Sequence, residues 1–220
     1  MSEDTATNQR FRKYDQFGLW IVQRVQTLAK GGCSPSGATM QGYLGGGAEA
    51  SAALARLRHN VARPVGIDPG ILDWTLKDIP DDTQPYAKDE PTSTELAAHA
   101  ALTLFAVHQQ SLREHSMHEC GISFGEAIGR LSVDNPNAAG IASRFFALQT
   151  ARHPAEIIRH ARGLIQLLRH PRIPFDYGLF AQDLVALQGS EQAANGVRLR
   201  WGRDYARASQ HSRDNQKNDN

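Results

Sequence analysis

Six arginines fall between residues 140 and 172 (Arg144, Arg152, Arg159, Arg162, Arg169 and Arg172), and Glu156 is the only acid among them. A guanidinium is always charged and planar, and it can hold a phosphate through two parallel hydrogen bonds. A row of such groups therefore matches the repeating charge of a nucleic-acid backbone. Helical geometry sharpens the match. At 100° per residue, Arg159, Arg162 and Arg169 lie within about 80° of one another, opposite Ile157, Ala161, Leu164 and Leu168. Arg144 and Arg152, just upstream, extend the arc. The same row also reads as a solvated helix face, although such faces normally mix both signs.

Two further basic runs accompany it. Arg198-Leu199-Arg200-Trp201-Gly202-Arg203, followed by Arg207, interleaves an aromatic side chain that could stack on a base or fill the core. Arg56, Arg58 and Arg63 form the third. Other clusters offer different chemistry. His108, His115, His118 and Cys120 contain zinc-ligand types, but no CxxC or HExxH spacing completes a site. Gly45-Gly46-Gly47 precedes a helix and could present amides to an anion, yet it lacks the Gly-Lys-Ser/Thr of a nucleotide loop. Asp81-Asp82 reads as a solvated loop pair. No Ser/His/Asp or Cys/His order and no paired carboxylates suggest catalysis. The residues thus predict a protein that is not an enzyme and carries no cofactor and no metal.

Helices must position these groups. Tyr14, Phe17, Ile21, Val25 and Leu28 recur at three and four and mark a first helix ending at Gly31-Gly32. A Gly/Ser-rich connector over 31–47 reads as a mobile loop. Further helices fit 48–60 and 70–79. Thr92-Ser-Thr-Glu95 is a capping box, and it opens a buried central helix to about Leu112. Helices then fit 124–131, 138–150, 154–170, 178–187 and 190–208, with Pro154 suited to a first helical position. Sustained alternation of β-branched residues is absent. The expected fold is all-α: a helical bundle, or two packed helical lobes at about 10–90 and 91–208, between disordered tails at 1–9 and 209–220.

Composition bounds the class. Apolar residues make up 40% of the 220 and charged residues 21%, so the chain has the means to build one core. Its net charge of +1 conceals a polar layout, because 68–95 carries eight acids against Lys77 and Lys88. Two cysteines, Cys33 and Cys120, make no disulfide framework, which predicts a reduced, cytoplasmic protein. No apolar run is long enough to span a membrane, and the opening Met-Ser-Glu-Asp-Thr lacks the order of a signal peptide.

The second half, taken as one string, resembles a known family. Gly121-Ile-Ser-Phe-Gly-Glu-Ala-Ile-Gly-Arg-Leu131 is followed by Ser143-Arg-Phe-Phe-Ala-Leu148, the arginine-rich helix ending at His170, then Ile173-Pro-Phe-Asp-Tyr177 and a basic helix with Trp201. Ala53-Leu-Ala-Arg-Leu-Arg58 and Asp78-Ile-Pro80 add a thinner match upstream. The order is similar to that of the CasB family, the small subunit of the type I-E CRISPR Cascade surveillance complex. The resemblance implies a helical, non-enzymatic subunit present in two copies and contacting the backbone and large subunits. It also implies sequence-indifferent binding of CRISPR RNA and target DNA, including the displaced strand of the R-loop, in antiviral defence. Family basic positions fall on Arg144, Arg162, Arg58 and Arg200, whereas Thr150 and His153 stand where cations are expected. Arg152 and Arg159 are neighbours able to compensate. The candidate binding set is therefore Arg144, Arg152, Arg159, Arg162, Arg169, Arg58, Arg56, Arg200 and Arg203. Two alternatives stay open: a helical scaffold that binds only protein, and a metal-dependent enzyme built on the histidine cluster.

Overall fold

The computed structural model of the chain describes residues 12–80 and 89–218, with side chains as far as 210. The expected tail at 1–9 and the Asp81-Asp82 pair lie outside the described residues. In chain order the elements are α1 (Gln16–Lys30), β1 (Gly31–Cys33), β2 (Thr39–Gln41), α2 (Ala48–His59), a 3-10 turn (Pro69–Ile71), α3 (Leu72–Thr75), α4 (Ser93–His108), α5 (Phe124–Ser132), α6 (Ala138–Thr150), α7 (Pro154–Arg169), α8 (Tyr177–Leu187) and α9 (Glu191–Asn218). The fold is mostly helical, with one small antiparallel hairpin among the described residues.

Side-chain caps start four of these helices. Asp15 accepts from the Gly18 amide at 2.7 Å, and Ser123 from Glu126 at 3.1 Å. The expected capping box is complete: Thr92 Oγ1 accepts from the Glu95 amide at 3.1 Å while Glu95 Oε2 accepts from the Thr92 amide at 2.9 Å. Asp176 caps α8 through Gly178 and Leu179, at 3.0 and 3.1 Å.

The helix that these caps aim inward is α4, buried on all sides from Ala97 to His108. Five alanines, Ala97, Ala98, Ala100, Ala101 and Ala106, keep it thin, and α1, α2, α3, α7 and α8 pack around it. One core runs from Phe17 to Trp201, so the two expected lobes share it. Helix α8 lies on both α1 and α4. At one end Phe124, Phe175, Tyr177, Phe180 and Trp201 form an aromatic cluster, with ring centroids 4.2 to 6.3 Å apart.

Two carboxylates on or beside α8 are buried, Asp176 at 0% and Asp183 at 3% exposure. Besides its capping bonds, Asp176 accepts from the Gly121 amide at 2.7 Å and from the Tyr14 hydroxyl. Asp183 accepts from the Trp201 indole and from Arg200, both at 2.8 Å, and from Arg12. Each charge is thus met by several donors, the condition under which a buried carboxylate is tolerated.

Three expectations change. The 31–47 connector is folded: β1 pairs with β2, and Tyr43 and Leu44 bond back to Leu28 and Ala29 at 2.9 Å. Its glycines serve close approach, since a Cβ at Gly47 would lie 1.9 Å from the Gln41 carbonyl oxygen. The amides of Gly45, Gly46 and Gly47 bond to loop carbonyls at 3.0 to 3.1 Å, which removes the anion-loop reading. The 70–79 helix shrinks to the 3-10 turn and the four residues of α3, and Asp78 beyond it stands at φ 56°. Finally, α9 continues to Asn218 across most of the expected 209–220 tail. No glycine or proline follows Gly202 to stop it.

Helices α5 and α9 meet through glycine. A Cβ at Gly125 would lie 2.3 Å from the Trp201 carbonyl oxygen, and one at Gly129 2.6 Å from that of Tyr205. By contrast, a Cβ at Gly163 on α7 meets nothing within 4 Å. Gly125→Ala should therefore lower the unfolding free energy by about 1–3 kcal/mol or more, because backbone cannot step aside as a side chain can. Gly163→Ala should raise it by about 0.5–1 kcal/mol. Urea unfolding of both variants checks the pair, and equal effects would contradict the crossing geometry.

Three buried histidines make the fold acid-sensitive. His108 is fully buried against Phe175, with Nδ1 3.1 Å from the Tyr177 hydroxyl, and burial pulls it from 6.5 down to about 3. Burial also lowers His99 and His118. Below pH 6.5 the unfolded chain takes up protons that these neutral rings refuse, so stability is full above that pH and falls toward about 3. Between pH 7.5 and 5.0, His108 alone should cost about 2 kcal/mol of unfolding free energy. A flat profile over that window would show the rings to be charged in the folded protein.

Candidate nucleic-acid interface

The arginine arc rests on α7, which begins at Pro154 and buries Ile157, Ala161, Leu164, Ile165 and Leu168. That packing turns Arg159 and Arg162 outward, and both are exposed, as is Arg144 on the adjoining α6. Among the described residues no carboxylate pairs with any of these three. The Arg159 guanidinium lies 3.4 Å from His160 Nε2. These cations keep their charge and hydrogen-bonding edges available to an external anion.

The remaining candidates are placed differently. Arg169 is half-buried and donates from Nε to the Gln110 carbonyl oxygen at 2.9 Å, tying α7 to the chain just past α4. Arg152 pairs with Glu191 at 3.2 Å, an exposed contact that water screens. Arg200 is held by Asp183, and Trp201 is 1% exposed, so it is a core residue with no face for a base. Arg56 sits beside Gly70 and Asp68. The hydrogen bond from Asn60, then that from the Gly70 amide, hold Asp68 below its usual range, with the charges of Arg56 and Arg63 adding to them.

Arg58 and Arg203 line two separate clefts. Arg58 shares one of about 230 Å³ with Tyr43, Gln110 and Arg113. Arg113 lies over the Tyr43 ring at 4.2 Å and bonds the Tyr43 carbonyl oxygen at 2.9 Å. Arg203 borders one of about 280 Å³ between α5 and α9, with Arg12, Arg200 and Arg207 around Glu126, Asp183 and Asp204. Arg12 and Arg113 escaped the sequence reading because what recruits them is remote. Asp183 lies 171 positions from Arg12, and Tyr43 70 positions from Arg113. Arg207 lay within a recognised basic run, and its ion pair with Asp204 at 2.6 Å follows helical spacing.

The metal-site alternative is not assembled. His108 Nδ1 faces Tyr177, His115 is exposed, and only His118 and Cys120 meet, Nε2 to Sγ at 3.6 Å. Among the described residues no three His, Cys, Asp or Glu side chains gather to hold a metal ion. No helix there is long and apolar enough to cross a membrane.

Comparison with known proteins follows this geometry. The family model for CRISPR-associated protein Cse2 matches residues 53–205, from within α2 to the turn of α9 that packs on α5. The crystal structure of CasB from Thermobifida fusca is similar, with a TM-score of 0.69 at 31% sequence identity, over 88% of this chain and 99% of that one. No curated protein matched the sequence. The matched span takes in α4 to α8, the buried carboxylates and the outward arginines of α6 and α7, so on sequence and fold together the chain belongs to the CRISPR-associated protein Cse2 family.

Proposed function

We propose that the chain is the non-catalytic small subunit of a type I-E CRISPR Cascade complex, and that it holds nucleic-acid backbones through its exposed arginines. Its ligands are CRISPR RNA and the single-stranded parts of the opened target, including the displaced strand. Its protein neighbours are the backbone and large subunits and a second copy of itself. The observation that carries this reading is the exposure of Arg144, Arg159 and Arg162, none of which pairs with a carboxylate among the described residues, on a chain that belongs to the Cse2 family. Guanidinium contacts to phosphate read charge and shape rather than sequence. That suits a subunit in a complex where base pairing supplies specificity. Arg58 and Arg203, at their clefts, are secondary contacts. Arg152, Arg169 and Arg200 contribute less, because each already has a partner within the fold.

A protein-only scaffold has one observation in its favour: Phe146 and Leu199 are 67% and 53% exposed, on α6 and α9. Fluorescence anisotropy of labelled single-stranded DNA and RNA against salt separates the readings. Wild type should bind both without sequence preference. Combined Arg144→Ala, Arg159→Ala and Arg162→Ala should make the log–log salt slope shallower by about 2, at about 0.7 per lost phosphate contact. Arg169→Ala alone should leave that slope unchanged. An unaltered slope in the triple variant counts against the α6–α7 surface. Association with protein partners that survives nuclease, together with no binding of nucleic acid by the folded chain, favours the scaffold.

A further inference from the structure

One arginine is drawn half inside the fold and given nothing there to bind. Arg58 lies in the last turn of α2 and is partly buried. Among the described residues its guanidinium forms no ion pair and no hydrogen bond. Withdrawing such a charge from water costs free energy unless an anion or an acceptor meets it. What Arg58 does have is a cleft of about 230 Å³, which it lines together with Tyr43, Gln110, Ser111 and Arg113. The cation-favouring carbonyl end of α2 accounts for a basic residue at this place. It does not account for the groups gathered opposite.

Those groups are donors. Arg113 is held in place before any ligand arrives, stacked 4.2 Å over the Tyr43 ring and bonded by one nitrogen to the Tyr43 carbonyl oxygen at 2.9 Å. The Tyr43 hydroxyl accepts from the Ser111 amide at 3.2 Å. An amide only donates, so the phenol keeps its own proton to give. Gln110 turns its side-chain oxygen to Arg169 at 3.5 Å, which leaves its NH2 end uncommitted. No carboxylate lines the cleft, and Glu114, next to Arg113, is paired with Arg172. Two guanidinium groups, a phenol and a carboxamide thus face one space without an acid. That is the lining of an anion site.

We infer that the Arg58–Arg113 cleft binds a phosphate monoester. Size and charge select that group. The cleft is smaller than the roughly 300 Å³ at which pockets begin to take drug-sized ligands, so it encloses a phosphate and leaves the rest of its carrier outside. A monoester carries about −1.5 to −2 at pH 7, which two guanidinium groups neutralise. An internal backbone phosphate carries a single charge and needs only one of them. Arg113, fixed on Tyr43, loses little freedom on binding, and Arg58 gains the partner that the fold withholds. The α6–α7 surface takes no part, so phosphate binding here stands or falls whether or not those arginines hold a strand.

Isothermal titration calorimetry of the full chain at fixed ionic strength tests this with inorganic phosphate, with AMP, and with an oligothymidylate bearing either a 5′-phosphate or a 5′-hydroxyl. Inorganic phosphate and AMP should each bind once per chain, in the millimolar range or tighter. Arg58→Ala should weaken both at least about tenfold, as the loss of a charge-assisted contact does, whereas Arg58→Lys, which keeps the charge without the fork, should weaken them about threefold. A gain from the 5′-phosphate that disappears in Arg58→Ala identifies a strand end as the carrier. AMP binding without any such gain identifies a free nucleotide. No saturable phosphate binding by the folded chain overturns the inference, as does an unchanged phosphate affinity in folded Arg58→Ala. Should Arg58→Ala fail to fold, Arg58→Lys decides, and an affinity equal to wild type overturns it.

Discussion

Two buried charges on one helix govern how this chain closes. Asp176 and Asp183 are seven positions apart, two turns of α8, and each must collect enough donors to offset its removal from water. The donors come from the whole length of the chain. Tyr14 and Arg12 arrive from before α1, Gly121 from the segment leading into α5, and Arg200 and Trp201 from α9. Neither carboxylate is satisfied by α8 alone. The apolar core therefore supplies the bulk of the attraction, while the two carboxylates fix which segments may meet. Removing a single donor leaves a charge short in a place that water does not reach, a heavier penalty than the loss of one surface pair.

The same contrast sorts the arginines. A guanidinium near a buried carboxylate or a spare carbonyl is drawn into the fold, as with Arg200 on Asp183 and Arg169 on Gln110. One that leaves an amphipathic helix toward water and pairs with no carboxylate among the described residues stays available, as with Arg159 and Arg162. Helical spacing in the sequence places all three α7 arginines on one arc, and α7 forms over that stretch. What spacing alone does not contain is the partner. Gln110 lies 59 positions from Arg169, in the turn just past the end of α4.

That limit recurs across the molecule. Helices with a local start signal were legible: Thr92 and Glu95 open α4, and Pro154 opens α7. Glycines misled where their purpose is tertiary. In 31–47 they read as looseness, while in the fold they let β1, β2 and the start of α2 approach within contact of backbone. Trp201 could by its sequence either stack on a base or fill the core, and Asp183 and the rings of Phe124 and Phe180 claim it for the core. The end of α9 went unread for another reason: a polar sequence without breakers is compatible with helix or coil, and apolar periodicity says nothing about it.

The glycines of α5 and α7 divide the molecule by its tolerance of change. Where Gly125 and Gly129 touch α9, the backbones are so close that no other side chain fits without moving a helix. Around Gly163, one residue from Arg162, there is open space. Constraint and freedom are thus carried by different helices. The cationic surface of α7 can gain, lose or shift a charge without disturbing the packing beneath it. A protein built this way can retune what it touches, step by step, on a frame that stays the same.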